Sequence, residues 1–309
     1  MSEMNSYSVD VLIPTYKPDD EFPELLRRIA QQSYPVRNII VVNTEEDFWN
    51  PEWEQEVPNL YVAHITTEEF DHGGTRRIMA DTSDADILVF MTQDAMPADL
   101  YLIEELVKGF GMPSVQAAYA RQLPKPDCKP LERYTRSFNY PPVSDIKDKD
   151  DLPTLGIKTF FCSNVCAAYD RRTYEKLGGF VDRAIFNEDM IYGGTLIQEG
   201  YAIAYVAEAK VLHSHNYSCR QQLKRNFDLG VSQSEHPEIF AGHPSEGEGI
   251  RLVKESAAYV IKIGRPWLLV RLFFQSAAKY IGYFLGKHYQ ILPDFMIQHC
   301  TMNKSYWNE

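Results

Sequence analysis

Four short apolar runs in the first third of the chain, over residues 9–14, 38–43, 61–65 and 86–91, constrain the fold more than any other feature. Each ends in polar or turn-forming residues, and helical segments lie between them. The run at 38–43 is uninterrupted in its apolar centre, the pattern of a strand covered on both faces. Between the first two runs, Leu25, Leu26 and Ile29 share one face of a helix over about 21–32. Strands alternating with helices at this spacing predict an α/β protein with a mostly parallel sheet flanked by helices. Regular pattern resumes at 159–164, continues through a helix near 171–177 and another from 186 to Gly200, and reaches a last strand at 203–212. Residues 124–153, rich in Pro, Lys and Asp, predict a long surface loop. From about residue 221 the pattern is helical, so an α/β domain over 1–225 and a C-terminal helical region over 226–309 are expected.

Composition narrows the partners. With 31 Lys and Arg against 43 Asp and Glu, the chain carries a net charge of −12, the wrong sign for neutralising nucleic-acid phosphates. An aromatic content of 13% excludes a disordered chain. Five cysteines, an odd number without framework spacing, predict a reducing compartment. Residues 1–6 show neither a basic start nor an apolar stretch, so no signal peptide is expected and the cytoplasm is the predicted location.

The unusual polar residues follow the strands. Thr15 and Tyr16 come after the first, Thr44 and Glu45 after the second, Asp71 and His72 after the third, Asp94 after the fourth, and His213 and His215 after the last. Ligands of open α/β sheets bind beyond the carboxyl ends of the strands, so these positions predict a single site. Each residue also has an ordinary explanation. Asp94 could cap a turn, Asp189 could be a first-turn acid favoured by the helix dipole, and a lone His is commonly a core residue.

The order and spacing of seven motifs go further. They are Val11-Leu-Ile-Pro-Thr-Tyr16, Phe70-Asp-His-Gly-Gly-Thr-Arg76, Thr92-Gln-Asp-Ala-Met-Pro97, Phe161-Cys-Ser-Asn-Val-Cys166, Gly178-Gly-Phe180, Asn187-Glu-Asp-Met190 and His213-Ser-His215. Over residues 9–217 this pattern resembles the family 2 nucleotide-sugar glycosyltransferases of GT-A fold, and within them bacterial rhamnosyltransferases. The resemblance implies a divalent cation, Mn2+ or Mg2+, held by Asp94 with His213 and His215. Thr92 stands where the family carries the first Asp of an Asp-x-Asp pair. It also implies that Asp189, preceded by Glu188, is the base that deprotonates the acceptor hydroxyl. Pro14, Thr15, Tyr16 and Glu45 would lie along the donor base and ribose, with Asn43 an alternative to Glu45. Gly74 and its neighbour Gly73 would let backbone approach the donor, which Gln93 would also meet. Arg76, Arg77 or Arg225 would neutralise its diphosphate.

The activity implied is inverting transfer of L-rhamnose from dTDP-β-L-rhamnose to a saccharide or lipid-linked saccharide acceptor in surface polysaccharide synthesis. A UDP-hexose donor is the alternative within the same class. A sugar nucleotidyltransferase and a degenerate, non-catalytic scaffold are the alternatives outside it.

The last feature is charge placement. Residues 251–288 hold seven Lys or Arg and one acid, Glu255, in a chain that is acidic as a whole. From Trp267 to Leu285 apolar residues recur at helical spacing, and Arg271, Lys279 and Lys287 are expected on the other side of the helix. The longest uncharged run here is seven residues, short of the ~20 that span a bilayer. Such a stripe can pack on its own core, form a homo-oligomer contact, or lie on an anionic membrane surface at the inner leaflet. The basic excess favours the membrane.

Overall fold

The computed structural model describes residues 7–243 and 246–308; the N-terminal reading of residues 1–6 lies outside them. Among the described residues nine strands form one sheet. They are β1 (Val9–Tyr16), β2 (Asn38–Thr44), β3 (Leu60–Ile65), β4 (Ile87–Met91), β5 (Met96–Pro97), β6 (Val115–Leu123), β7 (Asp145–Lys147), β8 (Cys166–Asp170) and β9 (Ala202–Leu212). Their order is β3-β2-β1-β4-β8-β6-β9-β5, with β7 paired to β9.

The first half, β3-β2-β1-β4, is wholly parallel, and its burial follows its position. β4 is buried at every residue, hence its continuous apolar run, whereas the edge strand β3 leaves Tyr61 exposed. Side chains alternate between two cores. Val9, Val11 and Ile13 of β1 join Leu25, Ile29 and Leu106 on one face. Leu12 of β1 and Phe90 of β4 join Tyr169, Phe180 and Tyr192 on the other.

The second half departs from the expected pattern. β6 and β8 carry no strong strand signal, because β6 is built from Ala, Gln and Arg as much as from β-branched residues. β8 runs antiparallel to both β4 and β6. The segment read as regular at 159–164 is instead a 3-10 turn, Gly156–Phe160, leading into β8. The expected 124–153 loop contains the helix Pro130–Asn139 and β7. Leu131 is the one buried residue of that helix, with Tyr134 and Phe138 following it at helical spacing.

The helix Cys219–Glu235 runs through the expected boundary at 225/226, so that boundary falls within a single element. It packs against the helix Leu268–Lys287 through glycine rather than through the apolar stripe. A Cβ on Gly282 would meet the Leu223 carbonyl oxygen at 2.1 Å, one on Gly286 the Phe227 oxygen at 2.1 Å, and one on Gly230 the Tyr283 oxygen at 2.4 Å. With the small-residue face turned inward, the aromatic stripe is left outside. Trp267, Val270, Phe273 and Phe274 are 65%, 63%, 67% and 57% exposed. The reading that packs this stripe on its own core is therefore overturned. Arg271 and Lys279 do not flank the stripe on the surface but line an internal cavity. Among the described residues no helix is long and apolar enough to cross a membrane.

Gly286→Leu should destabilise the protein by on the order of 3 kcal/mol, because the backbones must separate to admit the side chain. Chemical denaturation of wild type and variant measures this; an unchanged midpoint would disprove the glycine contact.

Candidate active site

The strand order reverses between β1 and β4, and a crevice forms at their carboxyl ends. Gln93, just past β4, spans that crevice. Its Oε1 accepts from the Tyr16 amide at 2.7 Å and its Nε2 donates to the Tyr16 carbonyl at 3.0 Å. One side chain thereby replaces a missing ladder step and fixes the end of β1 against β4. Beside it, Thr15 Oγ1 donates to Asn43 Oδ1 at 3.0 Å, and Asn43 Nδ2 donates to the Glu45 carbonyl. Glu45 has φ 65°, and its carboxylate accepts from the Thr67 amide and hydroxyl at 2.6 Å. Those bonds hold its pKa below the ordinary carboxylate range. The wall next to them is aromatic: Tyr16 meets Phe48 edge-on, with the Lys17 ammonium 4.6 Å from the Phe48 ring.

Asp94, His213 and His215 converge. Their ligand atoms lie within 4.8 Å of one another, and Asp94 Oδ2 is 3.4 Å from His213 Nε2 and 3.1 Å from His215 Nε2. Burial opposes ionisation of Asp94, but hydrogen bonding to the two imidazoles outweighs it and holds the carboxyl far below its usual range. Burial also lowers the pKa of His213, against the pull of Asp94.

Gln122 orients His213. Gln122 Oε1 accepts from Arg136, and His213 Nδ1 lies 3.0 Å from the same oxygen, so Nδ1 must donate. With Nδ1 committed, Nε2 donates to Asp94 only when the ring is protonated; in the neutral ring its lone pair faces the carboxylate, and a cation between the groups would satisfy both. One carboxylate oxygen and two imidazole nitrogens brought this close would suit a divalent metal, which would supply positive charge for phosphate oxygens.

Asp189 enters from the other side. It lies in the first turn of the helix Glu188–Gln198, whose N-cap Asn187 is left-handed with φ 72°. Asp189 Oδ2 accepts from the Asn164 amide at 2.8 Å and Oδ1 from its neighbour Met190 at 2.8 Å. Burial, with the adjacent Glu188 charge, pushes its pKa up to about 7. Glu188 is turned inward, accepting from Asn164 Nδ2 at 3.0 Å and pairing with Arg76 at 3.2 Å. Burial works against its ionisation, and Arg76 and His72 more than compensate, lowering its pKa. Of the two acids, Asp189 is the one left partly accessible, while Glu188 is buried.

Several expected donor contacts are corrected here. Arg76 is buried against Glu188 and is therefore committed to that charge rather than to a diphosphate. Arg77 pairs with Asp182 at 2.7 Å and donates to the Phe180 carbonyl, on the opposite flank of its helix. Gly73 and Gly74 are required by protein backbone, since a Cβ would meet the carbonyl oxygens of Val181 and Asp182 at 2.2 and 2.6 Å. Arg225 remains. Its guanidinium lies 4.5 Å from the Phe186 ring and 5.8 Å from that of Tyr217, which stacks on His215. Among the described residues Arg225 has no carboxylate partner.

Two supporting residues, Asn164 before β8 and Gln122 on β6, have no sequence signal that sets them apart from other polar residues. Asp71, whose place after the third strand predicts a ligand contact, has a structural role. Its Oδ1 accepts from the amides of Gly73, Gly74 and Ala184.

An α/β sheet with an Asp-His-His cluster beyond its strand ends and an adjacent acid pair is an architecture that fits nucleotide-sugar transfer. The chain belongs to glycosyl transferase family 2, which its residues 10–178 match. It is 41% identical over 305 residues to the O-antigen chain rhamnosyltransferase RfbN of Salmonella typhimurium, covering 97% of this chain and 96% of that one. It is 38% identical over 309 residues to the O-antigen chain rhamnosyltransferase WbaN of Salmonella anatum, with the same coverage. Its fold is similar to that of the mannosyltransferase PcManGT from Pyrobaculum calidifontis, solved with GDP-Man and Mn2+. The TM-score is 0.57 at 17% identity, covering 97% of this chain and 85% of that one. The protein is a glycosyltransferase, and the nucleotidyltransferase and scaffold alternatives are set aside.

Asp94→Ala should abolish Mn2+ binding in calorimetry. Gln122→Leu, which keeps all three ligands but frees the His213 ring, should weaken it roughly tenfold. Mn2+ affinity unaffected by both changes would rule out a metal at this cluster.

Proposed function

We propose that this protein is an inverting rhamnosyltransferase that moves L-rhamnose from dTDP-β-L-rhamnose to a lipid-linked saccharide acceptor in O-antigen synthesis. The observation that carries the reading is a partly accessible, hydrogen-bonded Asp189 in the same crevice as the Asp94 cluster. The names of the two relatives, each aligned over nearly the whole chain, support the sugar.

The chemistry follows from the two ends of the crevice. Asp189 accepts the proton of the acceptor hydroxyl as that oxygen attacks the anomeric carbon from the face opposite the leaving group. The bond from the anomeric carbon to the phosphate oxygen breaks, the nucleoside diphosphate departs with the electron pair, and the β-linked donor yields an α-linked product. Asp94, His213 and His215 would hold Mn2+ or Mg2+, which supplies charge neutralisation for the departing diphosphate. Two imidazoles move the preference from Mg2+ toward Mn2+. Arg225, stacked beside Tyr217, adds a fixed positive charge on the same side. Tyr16, Thr15 and Asn43 form the floor for the base and ribose, with Pro14 behind them.

The exposed stripe of the helix Leu268–Lys287 supports a reversible place on the inner membrane surface. Lys262 and Arg265 precede this face and Lys287 follows it, all exposed. Cations of this kind contribute about 1 kcal/mol each near anionic lipid. The protein should float with anionic vesicles at low salt, and Phe273→Asp/Phe274→Asp should release it. If wild type ignores anionic vesicles, the surface assignment is wrong.

Asp189→Asn should lower turnover by on the order of 10²-fold or more while leaving donor affinity nearly intact. In the wild type, kcat/KM should fall about tenfold per pH unit below about 7 and level off above it, because only the carboxylate accepts the proton. The same raised pKa means that ionising Asp189 opposes folding. Its contribution to stability is best below about pH 4 and is lost as the pH rises through about 7. A variant with near-normal turnover would place the base elsewhere. For the donor, dTDP with Mn2+ should raise the melting temperature more than UDP does; the reverse order would point to a UDP-hexose.

A further inference from the structure

A cavity of about 790 Å³ lies among the helices Pro130–Asn139, Cys219–Glu235, Glu246–Lys262 and Leu268–Lys287. That volume is within the range of small-molecule sites, ~300–1,000 Å³. One end of it reaches His215 and Tyr217 and so adjoins the crevice of the candidate active site. Its walls carry Leu229, Leu252, Leu268 and Leu272. Its mouth is marked by Ile250, Val253 and Tyr280, which line it and are 57%, 36% and 63% exposed. The Tyr280 ring stacks on Phe284, so the mouth continues into the exposed apolar stripe.

Four cations line this largely apolar space. Lys129 and Lys254 are exposed, whereas Lys279 and Arg271 are half-buried, and among the described residues neither of these two has a carboxylate partner. The acid on the wall, Glu132, is already engaged by Arg136 at 2.7 Å. Burial lowers the Lys279 pKa, and Arg136 and Arg225 repel its charge further, with Glu132 opposing them. A cation left unpaired in a low-dielectric cavity is costly unless an anion completes it. Leucine walls behind that charge ask for something different, a hydrocarbon chain.

We propose that this cavity binds a phosphate-bearing amphiphile, with the phosphate on Lys279 and Arg271 and the chain along the leucine walls to the apolar mouth. Its occupant is the phosphorylated lipid end of the sugar acceptor, which places the saccharide at His215 and Asp189. This assignment rests on the transferase reading above. The path from crevice to cations to apolar mouth to exposed stripe then runs without interruption from the reaction to the membrane.

The test uses the full-length protein and calorimetry with three probes: farnesyl diphosphate, inorganic pyrophosphate and farnesol. Farnesyl diphosphate should bind at least tenfold more tightly than either fragment, because it alone engages both the cations and the walls. Lys279→Met should weaken it tenfold or more, and Leu272→Trp, which fills the cavity, should do the same. If Lys279→Met fails to fold, Arg271→Ala at the same site carries the test. Farnesyl diphosphate affinity unchanged in both Leu272→Trp and a cation variant overturns the proposal. So does binding that pyrophosphate matches and Asp94→Ala abolishes, since the probe then sits at the donor site. Flotation separates the two sources of phosphate. If Lys279→Met loses anionic-vesicle binding but keeps farnesyl diphosphate, the cation serves a bilayer headgroup and the substrate assignment fails. The nucleotide-induced melting shift, read in parallel, reports the donor site by itself. Its absence would sink the transferase reading without deciding the cavity.

Discussion

Glu188 is a buried carboxylate, and its neutralisation by Arg76 is what allows a second carboxylate, Asp189, to stand next to it. Two adjacent acids in the first turn of a packed helix would each resist ionisation. The buried guanidinium partly offsets the Glu188 charge, and Asn164 bonds to both acids at once. Removing either member of such a pair costs about 3–5 kcal/mol, because the other is left buried and charged. Asp71 extends the arrangement. It caps the helix His72–Asp81, which carries Arg76, and accepts from Ala184 in the segment leading to Glu188. The glycines at 73 and 74 permit that approach. Asp189 is thus held from three directions by elements far apart in the chain.

The two halves of the sheet have different tasks. The parallel half ends at Tyr16, Asn43 and Asp94, and Gln93 bridges its switch point. The antiparallel insertion of β8 between β4 and β6 delivers Asn164, just before β8, to the acid pair. Pairing of β6 with β9 aligns Leu123 with Leu212, so that Gln122 reaches the ring of His213. The loop of His213 and His215 is therefore positioned by the parallel pair β6 and β9, and the Asp94 carboxylate reaches it from the middle of the sheet.

Beyond the sheet, the helical region follows a packing rule opposite to the usual one. The helices Cys219–Glu235 and Leu268–Lys287 meet through Gly230, Gly282 and Gly286, where backbone replaces side chain in the contact. An apolar face that would ordinarily supply the core is thereby released to solvent. Exposed aromatic surface of this extent is costly for a protein that meets only water, and it marks a surface for something else.

The α/β class, the parallel half of the sheet and the residues at its strand ends were legible from the sequence, because buried strands need continuous apolar runs and the polar residues interrupting them stand out. Asp94 and the two histidines were visible in the same way, whereas the Glu188-Asp189 pair, at a helix start, stood out only through the motif it shares with the family. Residues that act by supporting others were not. Gln122 and Asn164 look like any polar residue until folding sets them beside His213 and Asp189. Arg76 and Arg77 are adjacent in the chain, yet successive helix positions point about 100° apart, so one became a buried counter-charge and the other a surface pair. The apolar period from Trp267 to Leu285 established an amphipathic helix but not which face turns inward. Tertiary structure decided that, because backbone contact at glycine depends on what lies opposite, and a one-dimensional pattern does not contain the partner helix.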